Sequence, residues 1–228
     1  MTTGSEERTH PAHVVRDAYE ALAAVVRSLG EDDSWLPTDC TGWAVRDLVF
    51  HLLADAQRAL VALHTPAGDL PDRDAVTYWR DWTPDTDGAA QGRRWNRVCA
   101  AMFSDFGRLK DLYLETAAAT VAAASTAEPR SRVGTQGHVL TVADLLTTLG
   151  VEATVHHLDL TVALPTAPGP SRAGLTAVRA TFDGLLGRPV PLDWSDEHYA
   201  RAATGRTPLT ERERHALGSD ADRLPLFG

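Results

Sequence analysis

Lysine is almost missing from this chain: Lys110 is the only one in 228 residues, and arginine carries the rest of the positive charge. Acidic residues outnumber basic ones, 31 Asp and Glu against 22 Lys and Arg, which leaves a formal net charge of −9. That balance excludes a nucleic-acid backbone or an anionic membrane surface as the main partner. Cysteine is scarce as well. Cys40 and Cys99 are too few and too far apart for a disulfide framework or a CxxC motif, so two free thiols are expected. No apolar run approaches the ~18–20 residues of a membrane span, and the opening stretch MTTGSEERTHPAH has no hydrophobic signal core. A cytoplasmic protein is expected.

What the chain does contain is ordinary globular material, 43% hydrophobic and 23% charged. Apolar residues recur at helical spacing. Val15, Ala18, Leu22, Val25 and Leu29 predict a first helix over residues 11–29, closed by Gly30. Val45, Val49, Leu52, Ala56 and Leu63 predict a second over 44–63. Residues 71–87, rich in Asp, Pro and Trp, read as a long ordered loop with room for a short helix, after which helical character runs to about residue 127. RVGTQGHVL has the look of an extended segment. TVAD then places Thr141 at a helix N-cap with Asp144 three residues on, a capping-box arrangement that starts a final bundle helix over 142–164. The fold class is all-α, a four-helix bundle over residues 1–165. A short, mainly helical appendage over 166–228 is too small to hold a core alone and is expected to pack on the bundle.

The final bundle helix carries the chemistry. Its apolar seam runs Val142, Leu145, Leu149, and the next positions in the same register are Glu152, His156 and Asp159. Residues four apart stack on one helix face, so Glu152 and His156 can converge on one cation. An unpaired buried carboxylate costs several kcal/mol, a cost that metal ligation removes. His51, beside the apolar stripe of the second helix, is the candidate third ligand. Two His and one carboxylate leave a coordination position open, a catalytic rather than structural count, and they suit zinc, iron, nickel or manganese. The alternative is a buried ion pair of Glu152 and His156 with His51 merely half-buried. His157, about 100° round the helix from His156, has a supporting or surface role; Asp159 can orient a ligand histidine or lie exposed near the helix end. His138, after Gly137, is a loop histidine that can line a binding site or serve no function.

The stretches GWAVRDLVFHLLAD (42–55) and TVADLLTTLGVEATVHHLDL (141–160) resemble the mycothiol-dependent maleylpyruvate isomerase family, within the DinB-like superfamily of metal-binding bundles. The resemblance covers roughly residues 10–165. It implies that His51, Glu152 and His156 bind a divalent metal, usually taken as zinc, whose open position takes the sulfur of mycothiol. The implied activity is a thiol transferase or thiol-assisted isomerase acting on a small electrophile, as a monomer or homodimer. The family's isomerase holds its dicarboxylate substrate with an arginine; Arg58, Arg93, Arg94 and Arg97 are the candidates here, with Arg58 and Arg94 favoured at the mouth. Abundant Ala and Arg with scarce Lys fit a GC-rich actinobacterial genome, where mycothiol is the usual thiol. Where the family commonly has Thr or Ser, this chain has Ala44, which removes a helix cap worth about 1 kcal/mol. A non-catalytic binding module, or a hydrolase with hydroxide at the open position, remain the competing functions.

Overall fold

A computed structural model describes residues 11–82 and 86–227, with Asp81 through its backbone only. The polar N-terminal stretch and the centre of the Asp- and Trp-rich loop lie outside these residues. The helices are α1 (Pro11–Ser28), α2 (Val45–Leu63), α3 (Asp87–Ala100), α4 (Phe106–Thr126), α5 (Val142–Thr161), α6 (Arg172–Leu186), α7 (Asp196–Ala203) and α8 (Glu211–Leu217). A hairpin of β1 (Arg132–Thr135) and β2 (His138–Thr141) precedes α5. Among the described residues, no helix is long and apolar enough to cross a membrane.

Helices α1, α2, α4 and α5 form the bundle: α1 and α2 each lie against both α4 and α5. Val15, Leu22, Leu48, Leu52, Leu109, Leu145 and Leu149 meet in its core. The single lysine has a place here. Lys110, on α4, donates to the Leu29 carbonyl just beyond the end of α1, where a cation also suits the helix dipole. At the head of α2, Ala44 offers no side-chain acceptor, but the Asp47 carboxylate still accepts from the Ala44 N–H at 2.9 Å.

The segment RVGTQGHVL folds as a tight hairpin because Gln136 and Gly137 both take positive φ, 50° and 83°, which turns the chain in two residues. Thr141 caps α5 through the Asp144 N–H, as expected. The Asp144 carboxylate does not complete a reciprocal box; it takes the Thr141 hydroxyl and the N–H of Ala75, and so anchors the long loop. That loop makes one 3₁₀ turn at Thr77–Asp81.

Helix α5 ends at Thr161, three residues short of its expected limit, and is buried on nearly every side rather than along one seam. Its second face, Val151, Val155 and Leu158, joins Val178, Phe182, Tyr199 and Phe227 in a separate core with Trp79. Trp79 and Phe227 stack at 4.4 Å between ring centroids. Two glycines let the neighbours come close. A Cβ on Gly150 would lie 2.6 Å from Val14 on α1, and one on Gly174 would lie 2.1 Å from Thr154. Thus α5 is held between the bundle and the C-terminal helices. Each function-bearing side chain on it can meet groups from both.

Candidate metal centre

The turn TDCTGW (38–43) leads into α2. It closes through the Trp43 N–H to the Cys40 carbonyl at 3.0 Å and the Thr38 N–H to the Trp43 carbonyl at 3.2 Å, and Gly42 supplies the φ of +76° it requires. It sets Cys40 and Trp43 on either side of the start of α2. Two turns into that helix, His51 reaches across to α5. Its Nε2 lies 3.0 Å from His156 Nε2 and 3.3 Å from Glu152 Oε1, and His156 Nε2 is 3.3 Å from the same oxygen. Three donor atoms from the two helices therefore form a nearly equilateral triangle. A tetrahedral ion at about 2.0–2.2 Å from each ligand would place them about 3.3–3.6 Å apart, so the triangle needs only slight opening to take one. Two facing imidazole nitrogens and a carboxylate suit a borderline divalent cation such as zinc.

The other side of His156 is closed. Its Nδ1–H donates to Asp159 Oδ2 at 2.9 Å, which leaves the Nε2 lone pair directed at the triangle. Asp159 is 1% exposed and is gripped by Arg206, Nε to Oδ1 at 2.9 Å and Nη2 to Oδ2 at 3.0 Å. Burial alone would raise the Asp159 carboxyl, but His156 and Arg206 hold it well below the ordinary carboxylate range. For Glu152 burial is again outweighed, here by the hydrogen bonds and charges of His156 and His51, and its carboxyl stays ionised. Burial works against the His156 imidazolium, yet Cys40, Asp159 and Glu152 together raise its pKa. The Cys40 thiol donates to Asp159 Oδ2 at 3.2 Å and stands 3.6 Å from His156 Nδ1. Burial, then the charge of Asp159, push its pKa up against the pull of His156 and Arg206, which disfavours the thiolate.

Of the residues picked from sequence, His51, Glu152, His156 and Asp159 come together. The others do not. His157 is neither beside the centre nor at the surface: it is 1% exposed, its Nε2–H donates to the Pro168 carbonyl at 2.8 Å, and burial lowers its pKa. His138 is the first residue of β2 rather than a loop residue, with its Nδ1 held 2.8 Å from Asp72. Arg58 is exposed on α2, three residues beyond Asp55, whose carboxyl its charge pulls down. Arg94 lines a different cleft, to which none of the three triangle residues contributes.

Four partners escaped the sequence reading. Asp55 lies one turn beyond His51, with Oδ2 3.3 Å from His51 Nε2, buried and without a hydrogen bond; burial raises its pKa against the pull of His51. The spacing His51-x-x-x-Asp55 mirrors Glu152-x-x-x-His156 and was a usable signal. Trp43 packs on the His51 ring at 5.1 Å. For Cys40 and Arg206, far away in sequence, no local pattern exists. A cavity of about 10 Å³ behind the triangle, lined by Tyr19, Tyr113, Asp55 and Glu152, is too small for a substrate. The open approach is from solvent, where the His51 and Glu152 side chains are 24% and 26% exposed.

A profile of the mycothiol maleylpyruvate isomerase N-terminal domain matches residues 15–161. The chain belongs to that family. Among solved structures, a mycothiol-dependent maleylpyruvate isomerase is similar with a TM-score of 0.54 at 16% identity, over 82% of this chain and 70% of the other. At that identity the likeness concerns the fold, which is the all-α DinB-like bundle. No curated protein sequence matches the chain.

Proposed function

We propose that this family member is a metal-dependent enzyme that uses a small thiol, mycothiol, to transfer to or isomerise a small electrophilic molecule in the cytoplasm. The observation that carries the reading is the triangle of His51 Nε2, His156 Nε2 and Glu152 Oε1, with sides of 3.0 to 3.3 Å. A divalent ion held by these atoms would supply a Lewis acid that lowers the pKa of a thiol at the open position. The protein does the rest. Asp159 keeps the proton on His156 Nδ1, and Arg206 keeps Asp159 ionised and in place. Trp43 closes one side of His51 and so fixes its ring. Asp55 Oδ2 is the unpaired acceptor next to the site, suited to take the proton that the thiol gives up. The raised pKa of Cys40 supports a borrowed thiol rather than an internal one.

Asp55 also favours a second reading, metal-assisted hydrolysis, because a carboxylate next to His51 can serve water as well as a thiol. Calorimetric titration with mycothiol and with its S-methyl derivative separates the two. Proton-releasing binding of the free thiol alone is expected; equal weak binding of both, or of neither, overturns the thiol reading. Elemental analysis is expected to find one divalent ion per chain, and near-zero metal in both the wild type and His51→Ala after supplementation would remove the metal centre altogether.

A further inference from the structure

A second cleft, of about 830 Å³, opens between α3 and the head of α2, and its charge runs against that of the molecule. Arg46, Arg93, Arg94 and Arg97 all line it, in a chain of net charge −9. Among the described residues none of the four has a carboxylate within salt-bridge distance, although other arginines, such as Arg179, Arg188, Arg201 and Arg206, do. Arg93, Arg94 and Arg97 stand three and four apart on α3, a spacing at which like charges repel by a few tenths of a kcal/mol per pair. Arg46 is 7% exposed; its guanidinium lies 4.4 Å over Trp35 and donates to the Phe103 carbonyl at 2.6 Å, and its Nε is buried without a partner. Asp47 is the acidic side chain on the wall, and it is engaged by the Ala44 N–H at 2.9 Å. Trp43 touches both neighbourhoods: its ring packs on His51 while its Nε1–H donates to the Arg93 carbonyl at 3.3 Å.

We propose that the arginine-lined cleft is a binding site for a small organic molecule bearing two or more oxyanions, carboxylate or phosphate, separate from the metal centre. Guanidinium groups match both anions through paired N–H donors. Four of them line the cleft against a single carboxylate on its wall, Asp47, so a monovalent ion would leave much of the field unanswered. The volume is that of an ordinary small-molecule pocket, and Trp35, Val98 and Phe103 offer an apolar wall to the carbon part of the ligand. This site does not depend on the metal reading.

The test is calorimetry on the full chain with citrate, inorganic phosphate and pyrophosphate at low ionic strength, in the wild type, in Arg94→Gln/Arg97→Gln and in His51→Ala. Citrate or pyrophosphate is expected to bind at least tenfold more tightly than phosphate, and whichever binds better identifies carboxylate or phosphate as the group recognised. The double arginine variant is expected to weaken that binding at least tenfold while unfolding at the same temperature or higher, because relieved repulsion offsets any lost packing. His51→Ala is expected to bind unchanged. No binding of any probe at millimolar concentration overturns the proposal. So does binding that survives in the double arginine variant or is lost in His51→Ala, since the anion would then sit elsewhere or on the metal.

Discussion

The two ring nitrogens of His156 face two polar clusters built on opposite logic. On the Nδ1 side, Asp159, Arg206 and Cys40 satisfy one another, and the carboxylate is 1% exposed. On the Nε2 side, His51 and Glu152 crowd to 3.0 and 3.3 Å with a quarter of each side chain in solvent and an unpaired Asp55 oxygen beside them. The closed cluster is stable as it stands, because every buried charge has its counter-charge. The open one gathers donors for something from outside. The difference teaches that ionisable residues in one helix register need not share an environment: Asp159 is enclosed and paired with Arg206, while Glu152 keeps a quarter of its side chain in solvent between two histidines.

The comparison breaks most visibly at Asp159. Asp159→Asn leaves Arg206, its side chain 12% exposed, without an anion, and should cost about 3–5 kcal/mol. It should also weaken metal affinity roughly 10–100-fold, through the loosened His156 ring. Urea unfolding and metal competition measure the two; a loss under ~1 kcal/mol would show that the closed cluster is not holding the helices.

Arg206 reaches Asp159 from the C-terminal helices, so moving those helices should disturb the closed side first. Gly174→Ala brings a methyl group into Thr154 Oγ1 and should cost about 1–3 kcal/mol by overpacking. Retention of wild-type stability would mean that α6 can shift without consequence.

On the open side the expectation is different. In chelator-treated protein, Glu152→Gln or His51→Ala should change stability by no more than ~1 kcal/mol, as for a partly exposed ion pair. Metal added back should raise the unfolding temperature of wild type by mass action and leave His51→Ala where it was. A large loss in the metal-free Glu152→Gln variant would make this cluster a structural ion pair like the other.

The smallest effect concerns acid. Glu213 accepts from the Thr210 N–H and hydroxyl, and then from His198 and Trp194, and these bonds hold its pKa at about 2 against an ordinary 4.5. A depressed carboxylate stabilises above pH 4.5, and that contribution fades as pH falls toward 2. Because Glu213 ties α8 to α7 on either side of the loop carrying Arg206, acid should loosen the closed cluster slightly. Thermal unfolding of Glu213→Gln should lose that part of the pH slope; an unchanged slope would place the acid sensitivity elsewhere.

How much of this could be read in advance varies residue by residue. Helical spacing located α1 and α2 to within a residue of their ends and set His51, Glu152 and His156 on inward registers, because a helix fixes which neighbours share a face. The family profile agrees over residues 15–161. RVGTQGHVL reads as extended but not as a hairpin turning at Gln136 and Gly137, and Asp55 was readable but passed over. The error at His157 has a physical cause. A helix judged against one core is assumed to have a wet face, whereas Val151, Val155 and Leu158 face a second core supplied largely by the C-terminal helices, from Val178 to Phe227.

The sequence by itself determined the local geometry: which helices form, where they stop, and which ionisable residues occupy apolar registers. Those properties follow from backbone periodicity and act over one or two turns. Only the tertiary structure decided which of those residues would be satisfied and which left open. Arg206 neutralises Asp159 across 47 positions of chain, and Cys40 meets it across 119. Trp43 touches His51 on α2 with its ring and the Arg93 carbonyl on α3 through its Nε1–H. Charge compensation depends on distance in space, and no spacing along the chain encodes it.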